Sequence, residues 1–253
     1  MLDKIIIDGL SFALPLFIMA IGGIYSERSG ITNLALEGLQ GAGAFVGALV
    51  ATFLMLAVPS DSQIPYYAAM LFAMIGGMLY AMLHAVLCVN FKANQVISGV
   101  VINILAMALT VFLTKVVNRI AFGAASDKFM LNVSDRWTVP GLSAIPVVGA
   151  VFKDMYPFEV IIVVVAVIAW YVLYRTKYGM HLRACGDNPQ AVDAAGIDVA
   201  KIRFSAVMVS GALSGLAGMC FAYSISAKYA STIYVGYGYL SIAALHSKPI
   251  TLW

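Results

Sequence analysis

The sequence predicts an all-α bundle of transmembrane helices, because it is very apolar and its charges are few and clustered. Of its 253 residues, 62% are hydrophobic and 11% are charged, with a mean hydropathy of +0.93. Soluble domains average about 45–50% apolar and about 25% charged residues. About 20 apolar residues cross a hydrocarbon core. The long uncharged stretches therefore exclude a soluble globule and predict a polytopic membrane protein with one domain over residues 1–253.

Six uncharged or nearly uncharged stretches are long enough to be membrane spans. The first is interpreted as a retained span and not as a signal peptide, because acidic residues flank Lys4 and no small-residue cleavage pattern follows. The fifth requires Glu159 to lie at the membrane interface. The predicted spans are residues 9–26, 38–60, 62–91, 93–114, 157–174 and 204–227.

A further uncharged stretch, residues 229–247, differs from these spans. It contains Gly236, Gly238, four tyrosines and His246. Irregular backbone is tolerated at membrane depth only where protein or a water-filled cavity covers it. The composition favours a broken or re-entrant segment over a plain helix, and the sequence alone does not decide the matter.

The distribution of basic residues predicts the orientation. Residues 175–203 carry Arg175, Lys177, Arg183, Lys201 and Arg203, whereas residues 59–65 carry no Lys or Arg. Short basic loops stay in the cytoplasm. We therefore place the loop 175–203 inside, and counting spans back places the amino terminus and the segment 118–157 outside. The prolines and glycines of that outer segment predict turns and favour a half-helix at the membrane surface.

The second half of the cytoplasmic loop carries the signals of a very short helix. Asn188 can cap the free N–H groups, Pro189 suits the first helical position, and Gly196 suits a left-handed stop. Asp198 then caps a second helix that leads into the sixth span. A helix of about two turns is marginal alone. It needs a surface, which is either the underside of the membrane domain or a partner protein, and a simple connector between spans is the alternative.

Glu37 is an ionisable residue near the start of the second span. If the helix begins at Gly30, Glu37 lies about 10 Å along it, a depth at which charges usually face protein or a water-filled path. Asn33, four residues earlier, would share its helix face. The alternative is that Glu37 only pairs with Arg28 or with a backbone turn near the inner surface.

His84 and Asn103 lie in apolar segments, and each could line a polar route. A buried histidine, however, is more often satisfied by a neighbour than functional. Small residues in the second and sixth spans predict close helix crossings rather than a site. These residues are Gly43, Gly47, Ser210, Gly211, Ser214, Gly215 and Gly218.

Several kinds of chemistry are excluded by missing motifs. The sequence contains no Gly-Lys dipeptide, hence no phosphate-binding P-loop, and neither HExxH nor GxSxG. Its three cysteines have no paired spacing for a metal site. We therefore expect no enzymatic activity, no catalytic residue, no cofactor, no metal and no nucleic acid partner, and the surrounding partner is the lipid bilayer.

Four segments resemble the permease subunits of ATP-binding-cassette importers, in the branch for branched-chain amino acids, simple sugars and nucleosides. The nucleoside and simple-sugar group is the most similar one, and the resemblance extends from about residue 10 to 245. The segments are residues 25–38 (YSERSGITNLALEG), 145–149 (IPVVG), 174–189 (YRTKYGMHLRACGDNP, continuing through AAGI at 194–197) and 210–218 (SGALSGLAG).

The resemblance implies a bacterial-type cell-membrane permease that pairs with itself or a sister permease and carries a nucleoside or related small polar solute. A separate ATPase subunit would energise it through a coupling helix at residues 187–197, and a solute-binding protein would serve it outside. Transport would follow alternating access. The implied coupling residues are Gly186, Asp187, Asn188, Pro189, Ala194, Ala195 and Gly196, and the candidate pathway or interface residues are Asn33, Glu37, His84 and Asn103.

The ending departs from the resemblance. Members of the family continue from a segment like residues 235–245 through a glycine-rich turn and further spans, whereas residues 246–253 (HSKPITLW) do not fit. The sequence-based expectation is a truncated or frameshifted product. The alternative function is an ion-coupled carrier that works through Glu37 and His84 without an ATPase, and the missing catalytic motifs disfavour a membrane-embedded enzyme.

Overall fold

The structure is a computed structural model that describes residues 2–59, 61–131, 135–141, 148–225 and 227–246. Six helices in this part are long and apolar enough to cross a membrane, which confirms the six predicted spans and the all-α class. The α-helices are α1 Leu2–Arg28, α2 Leu36–Ala57, α3 Ile64–Ala85, α4 Gln95–Phe122, α5 Pro157–Arg175, α6 Lys177–Asp187, α7 Pro189–Ala194, α8 Val199–Ile225 and α9 Tyr237–His246, and the strands are β1 Lys128–Met130 and β2 Lys228–Ala230.

The fourth span differs most from its predicted bounds. α4 begins after Asn94, whose Oδ1 accepts hydrogen bonds from the N–H groups of Val96 and Ile97. It continues beyond residue 114 to Phe122, because long basic side chains in its last turns can extend toward the membrane interface while their stems stay apolar. An uncharged stretch therefore ends earlier than the helix that contains it.

The segment 229–247 is broken, as its composition favours. β2 pairs antiparallel with β1, which sets Phe129 opposite Tyr229. A turn then leads into α9, whose 10 residues span about 15 Å, half the thickness of a hydrocarbon core. α9 is therefore too short to cross, and it packs against α1 and α2.

α8 is the central helix and packs against α1, α2 and α3. Its small residues allow backbones to touch, as the sequence predicts. A methyl group on Gly215 would lie 3.3 Å from the Cα of Gly43 and would overlap the carbonyl of Ala73. One on Gly77 would meet the Cα of Gly215 at 3.0 Å. Since lipid provides no hydrophobic drive between helices, such close packing is what holds α8 in place.

The predicted outer segment 118–157 contains the end of α4, β1, a short 3-10 helix at Val148–Phe152 and an isolated bridge between Trp137 and Met155. Part of it, residues 132–134 and 142–147, lies outside the described residues, together with the predicted turns there and the first three residues of the IPVVG motif. Residues 247–253, which carry most of the ending that departs from the family, also lie outside them.

Candidate functional site

The connections predicted to be cytoplasmic meet at one end of the bundle. The backbone N–H of Thr32, after α1, donates to Gln95 Oε1 at the start of α4 at 2.7 Å. At the opposite end, the N–H of Phe158 donates to Tyr66 Oη at 3.2 Å. Successive connections therefore lie at opposite ends of the bundle, in the predicted order of loops. Which of the two ends is cytoplasmic stays a prediction.

α6 and α7 form the loop between α5 and α8, and the capping signals lie where the sequence places them. Asn188 Oδ1 accepts the N–H of Ala191 at 3.1 Å, and Pro189 opens α7. Gly196 ends α7 with φ at +79°. Asp198 Oδ1 accepts the N–H of Lys201 at 3.0 Å, and this bond lowers the pKa of Asp198 below its usual value. The short helix is therefore built from local signals.

α7 offers an exposed surface rather than a packed one. Val192 is its one buried residue, and most of its other residues are exposed, as are Asp187 and Asn188 before it and Ala195 and Gly196 after it. A groove of about 750 Å³ runs between α7 and the α3–α4 connection, with Lys92, Asp193 and Arg203 in its wall. Six helical residues with this much free surface are suited to docking against another molecule.

Glu37 lies in the first turn of α2, because the chain from Ser29 to Ala35 is not helical. The assumption of a helix that starts at Gly30 is therefore wrong, and Glu37 does not share a helix face with Asn33. Its Oε2 accepts the backbone N–H of Gly236, just before α9, at 2.9 Å. The carboxylate thus joins α2 to the turn that precedes α9.

Asn103 of α4 completes the first turn of α2 from the other side. Its Oδ1 accepts the N–H of Gly38 at 2.7 Å, one of the N–H groups that a helix start leaves without an internal partner. Its Nδ2 donates to the carbonyl of Leu34 at 2.8 Å and to Tyr239 Oη at 3.3 Å. One amide therefore connects α4, α2 and α9.

Glu37 and Asn103 line the same cavity of about 170 Å³, here called the polar pocket. Thr110 Oγ1 donates to Ser231 Oγ at 3.2 Å in its wall. Tyr234 is 2% exposed, and its Oη has no hydrogen-bond partner in the described part of the chain. The lining residues are Glu37, Gly38, Gly41, Val100, Asn103, Ile104, Ala106, Met107, Thr110, Ser231, Tyr234, Val235 and Tyr239.

The other two candidate residues lie elsewhere. His84 is fully buried between α3 and α4, where its Nδ1 lies 3.0 Å from Ser98 Oγ. Asn33 Nδ2 donates to Ser210 Oγ of α8 at 3.0 Å, and its Oδ1 accepts the N–H of Ala35. Both side chains join neighbouring elements and do not line the polar pocket.

Sequence reasoning missed two parts of the site. It treated residues 175–187 as loop, although Thr176 Oγ1 accepts the N–H of Gly179 and marks the start of α6, a capping signal that the sequence does show. It also missed the polar side of the broken segment, Ser231, Tyr234 and Tyr239. No local pattern identifies these residues, because they line the pocket only when the broken segment packs against α2 and α4.

The chain is similar to known transporter subunits over nearly its whole length. It is 38% identical over 248 residues to the nucleoside ABC transporter permease protein NupC of Lactococcus lactis, covering 96% of this chain and 75% of that protein. It is 35% identical over 237 residues to the guanosine ABC transporter permease protein NupQ of Bacillus subtilis, covering 93% and 72%. A putative glucose ABC transporter permease of Haloferax volcanii is 30% identical over 235 residues, covering 91% and 66%.

No solved structure matches the chain in the corresponding comparison. The family described as branched-chain amino acid transport system, permease component, matches residues 5–245. This match includes most of α1, all of α2 to α8, the polar pocket and nearly all of α9. The chain therefore belongs to that family and is a multi-pass permease subunit of an ABC importer in the cell membrane.

Proposed function

We propose that this permease carries a nucleoside, that the polar pocket is part of its path, and that an ATPase subunit drives it by acting on α7. The observation that carries the substrate class is the similarity to two permeases named for guanosine and for nucleosides, at 35% and 38% identity. The polar pocket supports it, since hydroxyl, amide and carboxylate groups can bind the ribose hydroxyls and base edges of such a solute.

The unpartnered Tyr234 hydroxyl supports a polar occupant. A buried hydroxyl without a partner costs about 1–3 kcal/mol, so natural proteins usually satisfy one by protein, water or ligand. The pocket wall also contains the Glu37 carboxylate and the Asn103 amide. A solute that passes through the pocket and offers hydrogen-bond donors and acceptors would bind to these groups.

The size of the polar pocket favours a path shared between two permease subunits. Its volume of about 170 Å³ lies below the roughly 300–1,000 Å³ of ordinary small-molecule sites. Its outer wall, Ile104, Met107, Val235 and Tyr239, is exposed on the surface of this chain. A second permease, either a copy or a sister chain, would close the path on this side.

The test is uptake of radiolabelled guanosine into proteoliposomes that hold the permease, its ATPase and its solute-binding protein. We expect uptake that requires ATP on the side of the membrane that carries the ATPase. Other nucleosides should inhibit this uptake by competition, and glucose should not. Uptake driven by a sodium or proton gradient without ATP would contradict the ATPase-driven mechanism and favour an ion-coupled carrier. ATP-driven uptake of glucose alone would contradict the substrate class.

The role of α7 has its own test. Pro189→Gly together with Ala194→Asp should leave membrane insertion intact and abolish the stimulation of ATP hydrolysis by the loaded binding protein, because it removes the fixed start of α7 and adds a charge to its exposed surface. Ala125→Asp, an exposed alanine at the opposite end of the bundle, is the matched control. Normal stimulation in the α7 variant would show that the ATPase acts elsewhere.

A further inference from the structure

Arg203 joins the ends of two helices. It lies near the start of α8, and its Nε donates to the carbonyl of Ser29 at 2.9 Å while its Nη2 donates to the carbonyl of Cys185 at 3.0 Å. Ser29 directly follows α1, and Cys185 belongs to the last turn of α6. Carbonyls at the carboxyl end of a helix lack internal partners and carry the negative end of the helix dipole.

The guanidinium is well suited to this position. Its donors form a planar fork, so it can hold two carbonyls at fixed directions, and bonds from a charged donor are stronger than neutral ones. A lysine ammonium at the same place would keep the charge without the fixed fork. The chemistry of Arg203 is therefore that of a rigid connector between α1, α6 and α8.

A second contact joins α6 to α1 independently of Arg203. Gly186 lies against the carbonyl of Arg28, so closely that a methyl group there would overlap it. Gly30, with φ at +87°, turns the chain away beneath this contact. Tyr178 Oη and Ser205 Oγ, 2.8 Å apart, add a contact between α6 and α8. α6 is thus held by backbone contact near its end and by a side-chain contact near its start.

The chain after this junction leads directly to the polar pocket. Residues 29–35, here called the linking segment, connect α1 to α2. Ser26 Oγ donates to the carbonyl of Ile31 at 2.8 Å, and Asn33 binds Ser210 of α8. α2 begins at Leu36, and its next residue, Glu37, lines the pocket. The linking segment is therefore the short covalent stretch between this junction and the site, and the loop helices reach it through the contacts of Arg203 and Gly186.

We propose that Arg203 is a positioning residue that makes α6, α7 and the linking segment one rigid body, so that a movement of α7 displaces the first turn of α2 and changes the polar pocket. The inference rests on the proposed function, because it requires that the ATPase acts on α7. It goes beyond it by naming the residue and the segment that transmit the movement.

The first test separates coupling from folding. In the reconstituted complex, Arg203→Gln should reduce ATP-driven guanosine uptake at least tenfold while ATP hydrolysis without solute persists, and Arg203→Lys should recover part of the uptake. Arg119→Gln, the same change at the far end of α4, is the charge control and should transport normally. Joint loss of hydrolysis and uptake with a lower thermal midpoint would assign Arg203 to folding alone and overturn the proposal.

The second test measures the rigid body itself. Spin labels on Thr32→Cys and Met180→Cys, both exposed positions, report the distance between the linking segment and α6. We expect the same mean distance in the nucleotide-free and ATP-trapped complexes, and a distance that shifts or broadens when Arg203→Gln is added. A distance that changes with ATP in the otherwise unmodified complex would overturn the proposal.

Gly186→Ala tests the junction from its other side, because the atoms nearest to its methyl group are the backbone of Arg28 and Gly30, so it pushes α6 from α1. It should reproduce the uptake loss of Arg203→Gln, whereas Gly9→Ala, with nothing within 4 Å of the added methyl, should not. Normal uptake by both Arg203→Gln and Gly186→Ala overturns this inference alone. Absence of ATP-driven uptake in the unmodified complex would instead overturn the proposed function.

Discussion

The two sides of α2 are built on different principles. Toward α3 and α8 it meets glycine and alanine, and 78% of the membrane-crossing stretch of α8 is buried. Toward α4 and α9 the contacts are hydrogen bonds between a side chain and backbone, with Asn103 of α4 accepting the N–H of Gly38 and Glu37 of α2 accepting that of Gly236, and only 28% of the α4 stretch is buried. The first side leaves no room for a ligand, whereas the second encloses the polar pocket.

This difference separates the rigid part of the permease from the part that can rearrange. Helix backbones in van der Waals contact have no alternative arrangement of similar energy, because any shift of one helix opens a gap in the packing between the helices. Hydrogen bonds such as Asn103 to Gly38 can exchange with water or with a solute. We therefore expect changes on the packed side to affect folding and changes on the pocket side to affect transport.

The largest effect is expected from Gly215→Leu on the packed side. Its side chain would overlap the carbonyl of Ala73 and press on Gly43, so α8 must move away from α2 and α3. Overpacking typically costs about 1–3 kcal/mol, and we expect at least the upper end here. The yield of monodisperse protein and its thermal midpoint in detergent measure this loss. Gly9→Leu, facing open space, is the control, and equal yields would show that the packed side is adaptable.

Glu37→Gln should have the next largest effect, and it should appear in transport. The variant keeps the shape and removes the charge that accepts the Gly236 amide. Hydrogen bonds to charged groups contribute about 1.5–3 kcal/mol, so we expect ATP-driven uptake to fall about tenfold. Glu159→Gln, which changes another carboxyl in the first turn of a span, is the matched control outside the pocket. Equal uptake by both variants would mean that Glu37 only stabilises the turn before α9 and has no role in transport.

His84→Leu should lower stability and leave transport unchanged, because His84 joins α3 to α4 away from the pocket. Losing its contact with Ser98 should reduce the free energy of unfolding by about 1–3 kcal/mol. Thermal unfolding in detergent and uptake per folded protein are measured together. Reduced uptake at unchanged stability would restore His84 as a pathway residue.

The smallest effect is expected from Tyr239→Phe. Tyr239 is 47% exposed, and its hydroxyl is the more distant of the partners of Asn103 Nδ2, at 3.3 Å. Such a bond contributes about 0.5 kcal/mol, so uptake should change by no more than about twofold. The variant to compare it with is Tyr234→Phe, which removes the buried unpartnered hydroxyl from the pocket wall. A larger loss in Tyr239→Phe than in Tyr234→Phe would place the solute nearer the exposed wall.

The sequence predicts those features whose causes are local. The spans follow from the spacing of charges, the ends of α7 from Asn188, Pro189 and Gly196, and the packed side from the glycines of α2 and α8. Each of these depends on residues a few positions apart or on one chemical property of a helix face. Such patterns can be interpreted without knowing which helices are neighbours.

The polar pocket could not be predicted in the same way. Asn103 and Gly38 are joined across 65 residues, and Glu37 and Gly236 across 199. The helix start assumed for Glu37 was wrong because the turn at Gly30 and the hydrogen bond from the Ala35 N–H to Asn33 Oδ1 belong to a non-helical stretch before α2, and only the position of α8 explains why Asn33 points where it does. Sequence identified Glu37 and Asn103 as unusual but not as neighbours.

The pairing of β1 with β2 sets the order in which the protein can be assembled. Phe129 and Tyr229 are one hundred positions apart, so the ribosome makes the second strand only after all six of these spans, α8 included. Asn103 can meet Gly38 early, but Glu37 has to wait for the amide of Gly236. During that interval the Glu37 carboxylate has to accept hydrogen bonds from water or from the insertion machinery instead. The pocket is thus completed late in biogenesis, and a pause in translation before residue 228 would leave its acidic wall uncovered.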